Sequence, residues 1–433
     1  MVAYNGERYL RACLGSIASQ LGPEDELILV DNGSLDNSAE VAATCCPDAR
    51  LIRNERNLGY AGGCNVGLDA ALGRVLVLAN QDIEVREGWL DALVEALDDE
   101  QVGIAGCKLL FPDGRIQHAG GGIEYPLALP TLPGRGEPDD GRWDTPRDVD
   151  YVMGAALALR RDVLERVGRL DEGFSPAYYE DTDLCQRARM AGLRVRYQPR
   201  SAAAHLETTS VEREGIEYHR WMGRGRLRFV LKHWTLAQFL GDFVPAERQW
   251  LRSLAAEPLR QGLRHAYLDT ILSLRTIPRC GVLAEDGAVE PVAEKLLELR
   301  SEIGGPRRTG VEPTDALWEI HEQPFRSRVP LIGPLIVAFR EAWNRVSTQW
   351  YVRPLIEQQN RINLEIAVRL DQQRDELEVA CALLTQLDRE AADGRVATAR
   401  ALHALSARLE RLERSALLRS DEARYDEAGR RPE

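Results

Sequence analysis

An α/β fold, with a mixed but mostly parallel sheet and helices on both of its faces, is the architecture expected for the first part of this 433-residue chain. An α-helical region and a carboxyl-terminal coiled coil should follow. Three observations lead there. Between Leu27 and Ala79, short apolar runs alternate with helical stretches, which builds a parallel sheet whose ligands bind at the carboxyl ends of the strands. Two of those runs end in acid, Val30-Asp31 and Ala79-Asn80-Gln81-Asp82. Far downstream, Leu402, Leu405, Leu409 and Leu412 recur at spacings of three, four and three, the seam of a coiled coil.

In chain order, the expected elements are a strand at Leu27–Val30, a helix near Asp36–Thr44, a strand at Leu51-Ile52, a helix near Gly62–Leu72 and a strand at Val75–Ala79. The last suits burial on both faces, where a carboxylate is costly without a charged partner, so Asp82 needs something to meet. Asp31 runs into Asn32-Gly33-Ser34, a turn suited to close ligand approach; capping a turn is the competing role for either acid. Gly59, Gly62, Gly63 and Gly67 form a glycine-rich turn feeding a helix, by itself a weak sign of phosphate binding. Residues 125–147, dense in Pro, Gly and Asp, read as a long surface loop, and His118 as a loop residue. Phe174 to Tyr179 supplies aromatic surface, for core packing or for the face of a sugar. Asp181 opens a helix to about Met190, on which Asp183 and Arg187 pair four apart. A strand follows at Val195–Tyr197.

Composition narrows the function. A hydrophobic content of 44% lets the chain bury a sizeable core, and a net charge of −13 disfavours nucleic acid as a partner. Lysine occurs only at 108, 232 and 295, so a single arginine in a motif carries little weight. The eight cysteines show no CxxC and no Cys/His cluster, which favours reduced thiols over a disulfide framework or a zinc site. With no signal peptide and no apolar run near the roughly 18 residues of a spanning helix, a cytoplasmic protein is expected, soluble or peripheral on the inner face of the plasma membrane.

Motifs join these pieces. Tyr4-Asn5, VDNGSLDNS (30–38), NLGYAGGCNVG (57–67), NQD (80–82) and VGRLDEGF through YYEDTDLCQRARMAG (167–192) occur in order. In content, order and spacing this set resembles a family 2 glycosyltransferase of the GT-A, Rossmann-like fold, and is most similar to bacterial rhamnosyltransferase-like members. The resemblance covers roughly residues 1–235.

It implies sugar transfer from a nucleotide diphosphate, with Mg²⁺ or Mn²⁺ neutralising the leaving diphosphate through oxygen ligands. Asp82 matches the metal-binding Asp of the family's Asp-x-Asp, whose first acid is here Asn80, and His205 matches a position that can complete the metal site. Asp31 matches the residue that contacts base or ribose. Tyr4, Asn5, Asn57, Asn65, Asn80 and Gln81 are the other expected donor contacts. Asp181 is the expected catalytic base, taking the acceptor hydroxyl's proton in a one-step inverting displacement, with Glu180 orienting the site. The family's first strand usually carries several more apolar residues than Met1-Val2-Ala3, so either this strand is short or the start lies elsewhere.

Beyond the resemblance, Tyr218 to Gly241 interleaves Arg and Lys with Trp, Leu and Phe: a basic helix for an anionic membrane surface, for diphosphate, or for packing on the catalytic domain. The expected divisions are 1–235 (transferase domain), 236–324 (helical extension), 325–356 (amphipathic aromatic and basic segment with interfacial character), 357–419 (coiled coil, for homo-oligomerisation or a partner helix) and 420–433 (disordered tail). The favoured function is an inverting, metal-dependent transferase moving a sugar, plausibly L-rhamnose, from a dTDP- or UDP-linked donor to a glycan or polyprenyl-diphosphate-linked acceptor in cell-surface polysaccharide synthesis. Asn80 motivates the alternative, a catalytically impaired GT-A-like scaffold acting through its coiled coil. Nucleotidyl transfer is disfavoured by a base at Asp181.

Overall fold

The structure, a computed structural model, describes residues 1–206, 214–303 and Gln359. The expectations for 325–356, 357–419 and 420–433, and the last part of 236–324, lie outside the described residues.

The chain begins with β1 (Val2–Ala3), α1 (Glu7–Ala18), β2 (Ile28–Asp31), α2 (Ser38–Cys45), β3 (Arg50–Arg53), α3 (Gly59–Ala70) and β4 (Val75–Ala79). Helix α1 forms because Leu10, Cys13, Leu14 and Ile17 make one buried stripe at helical spacing. Strands β1, β2 and β3 pair in parallel, and a parallel bridge between Val2 and Asn80 ties β1 to the end of β4.

The chain continues through β5 (Ile83–Val85), α4 (Trp89–Ala96), β6 (Val102–Leu110), β7 (Ile116–His118), β8 (Gly122–Glu124), β9 (Leu129–Thr131), β10 (Arg147–Asp148), β11 (Ala156–Arg160), α5 (Arg161–Val167), α6 (Glu180–Met190) and β12 (Arg194–His205). The larger sheet runs β10-β12-β6-β11-β4, with β5 on β12 and β7 on β6. Here β6 and β12 are parallel while β11 runs antiparallel between β4 and β6, so the sheet is mixed as expected but mainly antiparallel rather than mostly parallel, the other parallel pairs lying in the β1-β2-β3 sheet. Strand β12 reaches well beyond the expected Val195–Tyr197; a register shift between Gln198 and Ala202, around Pro199, lets it bend and resume pairing up to His205. His118 is no loop residue: it lies in β7, fully buried against Tyr151, and burial near Arg135 and Arg147 pushes its imidazole down to about 3.

Helices α7 (Ile216–His233), α8 (Leu236–Gln238), α9 (Val244–Ser253), α10 (Glu257–Ser273) and α11 (Val289–Ile303) complete the described chain. Their core of Phe229, Phe239, Phe243, Tyr267 and Leu296 is continuous with Phe174 and Tyr179 of the sheet domain. Four basic residues of α7 are paired inside the fold: Arg220 on Asp269, Arg226 on Glu247, and Arg228 with Lys232 on Asp171. The helix thus packs on α9 and α10 as well as on the Asp171 turn of the sheet domain. Among the described residues no helix is long and apolar enough to cross a membrane, and all seven cysteines are free thiols.

Candidate active site

A cavity of about 760 Å³ opens where the ends of β1, β4 and β12 meet the first turn of α6 and one face of α7. Asp82, His205, Glu180 and Asp181 all line it.

Asp82 reaches the cavity because β4 ends at Ala79 and the chain turns through Asn80 and Gln81 into β5. Strand β5 pairs antiparallel with the end of β12, opposing Ile83 to His205, and the Leu206 amide donates to the Asp82 carbonyl at 3.0 Å. Backbone pairing therefore brings the Asp82 carboxylate within 3.3 Å of His205 Nε2, both side chains being buried. Gln117 fixes the ring: its Nε2 donates to the His205 carbonyl at 3.2 Å, which turns its Oε1 toward His205 Nδ1 at 2.7 Å. Nδ1 must then be the donor, so the Nε2 lone pair faces a carboxylate. Two lone pairs so close repel unless a proton or a cation lies between them.

Asn80 adds a third group. Its Nδ2 lies 3.5 Å from His205 Nε2, and its Oδ1 is buried with no partner among the described residues. The two ends of an amide are isosteric, and exchanging them would turn that oxygen toward His205. A carboxylate, an imidazole nitrogen and an amide oxygen form a donor set that fits Mn²⁺ or Mg²⁺, with the neutral oxygen replacing a second carboxylate. Among the described residues, no group of three or more His, Cys, Asp and Glu could hold a metal ion.

Asp181 occupies the first turn of α6, held from across the cavity. Gly154 N donates to Oδ2 at 2.7 Å, while Thr182 N and Oγ1 donate to Oδ1 at 2.6 and 3.1 Å. Any side chain at Gly154 would put its Cβ 3.3 Å from both Asp181 Cβ and the Tyr60 hydroxyl. Burial raises the Asp181 carboxyl above the usual range, and these hydrogen bonds offset part of the rise. Buried Glu180 is raised further, by desolvation and then by the Asp181 charge, and its Oε2 has no partner among the described residues. Behind them Asp183 is fully buried between Arg187 (2.8 Å), Lys232 (2.6 Å) and His233 (2.9 Å). Burial alone would raise Asp183, but the His233 hydrogen bond and the Arg187 and Lys232 charges hold it well below the carboxylate range. Lys232 also binds Asp171 at 2.7 Å, so α7 anchors the turn before α6 as well as α6 itself.

The other expected site residues divide. Tyr4, Asn57, Asn80 and Gln81 line the cavity. Gln81 stitches β1 to this turn, since the Tyr4 amide donates to its Oε1 at 2.8 Å and its Nε2 donates to the Tyr4 carbonyl at 3.1 Å. Asn57 Oδ1 accepts from Gly59 N at 2.8 Å and from Asn32 Nδ2 at 3.0 Å. Asp31 ends β2, where its Oδ1 accepts from Ser34 N at 3.1 Å, and Asn5 braces the same loop through Ser34 and Leu35; neither lines the cavity. Asn65 is spent on the Leu170 backbone and on Glu172. Sequence reading missed Asn32, Tyr60, Gln117 and Gly154. Asn32 stands next to the singled-out Asp31 and Tyr60 lies inside the NLGYAGGCNVG motif, whereas no local spacing marks Gln117 or Gly154.

Two family models match this chain, Glycosyl transferase family 2 over residues 1–168 and Glycosyltransferase like family 2 over residues 140–224. The chain carries a family 2 glycosyltransferase domain. Among curated relatives, this transferase domain is similar to the O-antigen biosynthesis protein RfbC of Myxococcus xanthus, 31% identical over 248 residues that cover 52% of this chain and 19% of that protein. It is also similar to the N-acetylglucosaminyl-diphospho-decaprenol L-rhamnosyltransferase of Mycobacterium tuberculosis, 27% identical over 237 residues, 49% of this chain and 76% of that one. The chain spans less than a third of the length of the first two curated relatives it matches. Among solved structures, GalNAc-T7 with UDP, GalNAc and Mn²⁺ aligns at a TM-score of 0.46 and 17% identity, covering 69% of this chain and 56% of that chain.

Proposed function

We propose that this protein is an inverting, divalent-cation-dependent glycosyltransferase that moves a sugar, plausibly L-rhamnose, from a dTDP- or UDP-linked donor to a lipid-linked or growing cell-surface polysaccharide. The observation that carries this reading is the convergence of Asp82, His205 and Asp181 on one cavity from three separate parts of the chain. The choice of rhamnose and of a polyprenyl-diphosphate-linked acceptor leans on the name of the mycobacterial relative.

Asp82 and His205 would hold Mn²⁺ or Mg²⁺, with Asn80 as a neutral oxygen ligand. When bound, the cation supplies positive charge to the departing diphosphate. Asn57 and Asn32, knitted to each other at the ends of β2 and α3, offer polar contacts to the nucleotide within the same cavity. Asp181 takes the proton of the acceptor hydroxyl. As it does so, the acceptor oxygen forms its bond to the anomeric carbon, and the electron pair of the breaking bond leaves with the diphosphate oxygen. Attack opposite the leaving group inverts the centre. The hydrogen bonds from Gly154 and Thr182 leave part of the carboxylate's accepting capacity for that proton. Glu180, whose carboxyl is raised well above its usual range by burial and then by the Asp181 charge, can donate a hydrogen bond to a substrate oxygen while it carries its proton.

The test is donor turnover. Incubated with a panel of nucleotide sugars, the protein should release nucleoside diphosphate from one of them with Mn²⁺ or Mg²⁺ and stop on addition of EDTA. If no donor is turned over and none raises the melting temperature, the reading fails and a scaffold role takes its place.

A further inference from the structure

The cavity has an aromatic wall that the chemistry above leaves unused. Just before Glu180, Tyr178 and Tyr179 stand consecutively in the left-handed region, with φ of 80° and 73°, a conformation that side chains of this size rarely adopt. Such outliers persist only where their surroundings hold them, and they gather at functional sites. Here the surroundings are visible. Tyr179 turns into the core, where its hydroxyl donates to the Ala128 carbonyl at 2.8 Å and its ring packs on Phe229. Gly225 of α7 allows the turn to approach, since a Cβ there would lie 2.7 Å from the Tyr178 carbonyl oxygen. The result is that Tyr178 faces the cavity, half-buried, and meets the edge of Tyr218 at 5.5 Å between ring centroids, with Trp221 one turn along the helix.

We propose that Tyr178, Tyr218 and Trp221 form the acceptor subsite, a wall that takes the apolar face of a pyranose ring and presents one of its hydroxyls to Asp181. This rests on the transferase reading and names the part of that site which chooses the acceptor. A pyranose has an apolar face of axial C–H bonds and a rim of hydroxyls, which matches an aromatic wall with carboxyl groups at its edge. Tyr179 and Phe229 lie inside the core, whereas Tyr178 packs on the edge of that core and also lines the cavity, where its strained backbone places it. The wall residues just before α6 and on α7, Asn32 and Asn57, and Asp181 all line the same cavity.

The experiment uses the full chain with Mn²⁺ and dTDP or UDP, titrated with methyl pyranosides (glucoside, galactoside, N-acetylglucosaminide, rhamnoside) while intrinsic tryptophan fluorescence is followed. Trp221→Phe identifies which of the eight tryptophans responds. Tyr178→Asn removes the ring with a residue that tolerates left-handed backbone, so the turn survives. A saturable quench by at least one pyranoside is expected, abolished in Trp221→Phe and moved to at least tenfold higher concentration in Tyr178→Asn, with the nucleotide-induced thermal shift retained in both. The subsite is overturned if no pyranoside quenches, if Tyr178→Asn binds as wild type does, or if that variant loses the nucleotide shift as well, which would give the wall to the donor. A pyranoside response with no thermal shift from any nucleotide would instead overturn the transferase reading and leave a sugar-binding wall.

Discussion

Asp82 and Asp181 share one cavity and are held there by opposite means. Asp82 follows a strand, and everything that orients it is backbone pairing or one hydrogen bond away: β5 on β12, the Leu206 amide, His205 fixed by Gln117. Asp181 sits on the first turn of a helix whose orientation depends on side-chain contacts from α7, Lys232 and His233 on Asp183, and Lys232 and Arg228 on Asp171. The difference teaches how the two halves should fail. The strand-built half is set by backbone pairing, so side-chain damage there should show as lost cation and nucleotide binding. The helix-built half is held by side-chain ion pairs, so damage should show as lost turnover and stability with binding intact.

The largest effect should come from the base. Asp181→Asn keeps the size and most hydrogen bonds but cannot accept a proton, and the rate of nucleoside diphosphate release should fall about 10³-fold. Because burial raises its carboxyl, wild-type activity should fall on the acid side at a pH above the usual carboxylate range, since Asp181 serves as base only above its own pKa. A pH profile of kcat checks this, and the residual activity of Asp181→Asn should lack that limb.

Next comes the support of the metal half. Gln117→Leu frees the His205 ring without touching the cavity, and Mn²⁺ affinity, read by titrating activity or thermal shift, should weaken about 10–100-fold. On the helix side, Lys232→Met removes one of the three side chains that bind Asp183 and a partner of Asp171. It should cost about 2 kcal/mol in urea unfolding and lower kcat, with the nucleotide shift unchanged. The smallest effect is a gain. Glu180 has a raised folded pKa, so its contribution to stability is present below the unfolded pKa and is lost as pH rises. Glu180→Gln should therefore melt about 2 °C higher than wild type at neutral pH, with the difference vanishing near pH 4.

The same contrast explains what could be read from the chain alone. The strand ends were legible because a run such as Val75–Ala79 has one structural use and places Asn80, Gln81 and Asp82 at the sheet's mouth whatever follows. Helix α6 and the Asp183–Arg187 pair were legible from acids in the first turn and four-residue spacing. Gln117 and Gly154 were not, because their roles arise only when β7 meets β12 and when the segment before β11 meets α6, contacts spanning 88 and 27 residues. Asn65 illustrates the reverse: a polar residue in a glycine-rich turn looks like a ligand contact, yet its amide is consumed by the Leu170 backbone 105 residues away. The α7 basic residues mislead for a related reason, since sequence shows their charge but not that Asp171, Asp183, Glu247 and Asp269 wait for them.

The division of labour between the two carboxylates is tested most directly by nucleotide-induced stabilisation, measured with and without Mn²⁺ in wild type, Asp82→Asn and Asp181→Asn. At about 100 times the dissociation constant the bound nucleotide should add roughly 2.7 kcal/mol. Wild type and Asp181→Asn should show the same Mn²⁺-dependent rise in melting temperature, and Asp82→Asn should show none. If Asp82→Asn keeps the Mn²⁺-dependent rise, or Asp181→Asn loses it, the two acids are not divided between binding and proton transfer.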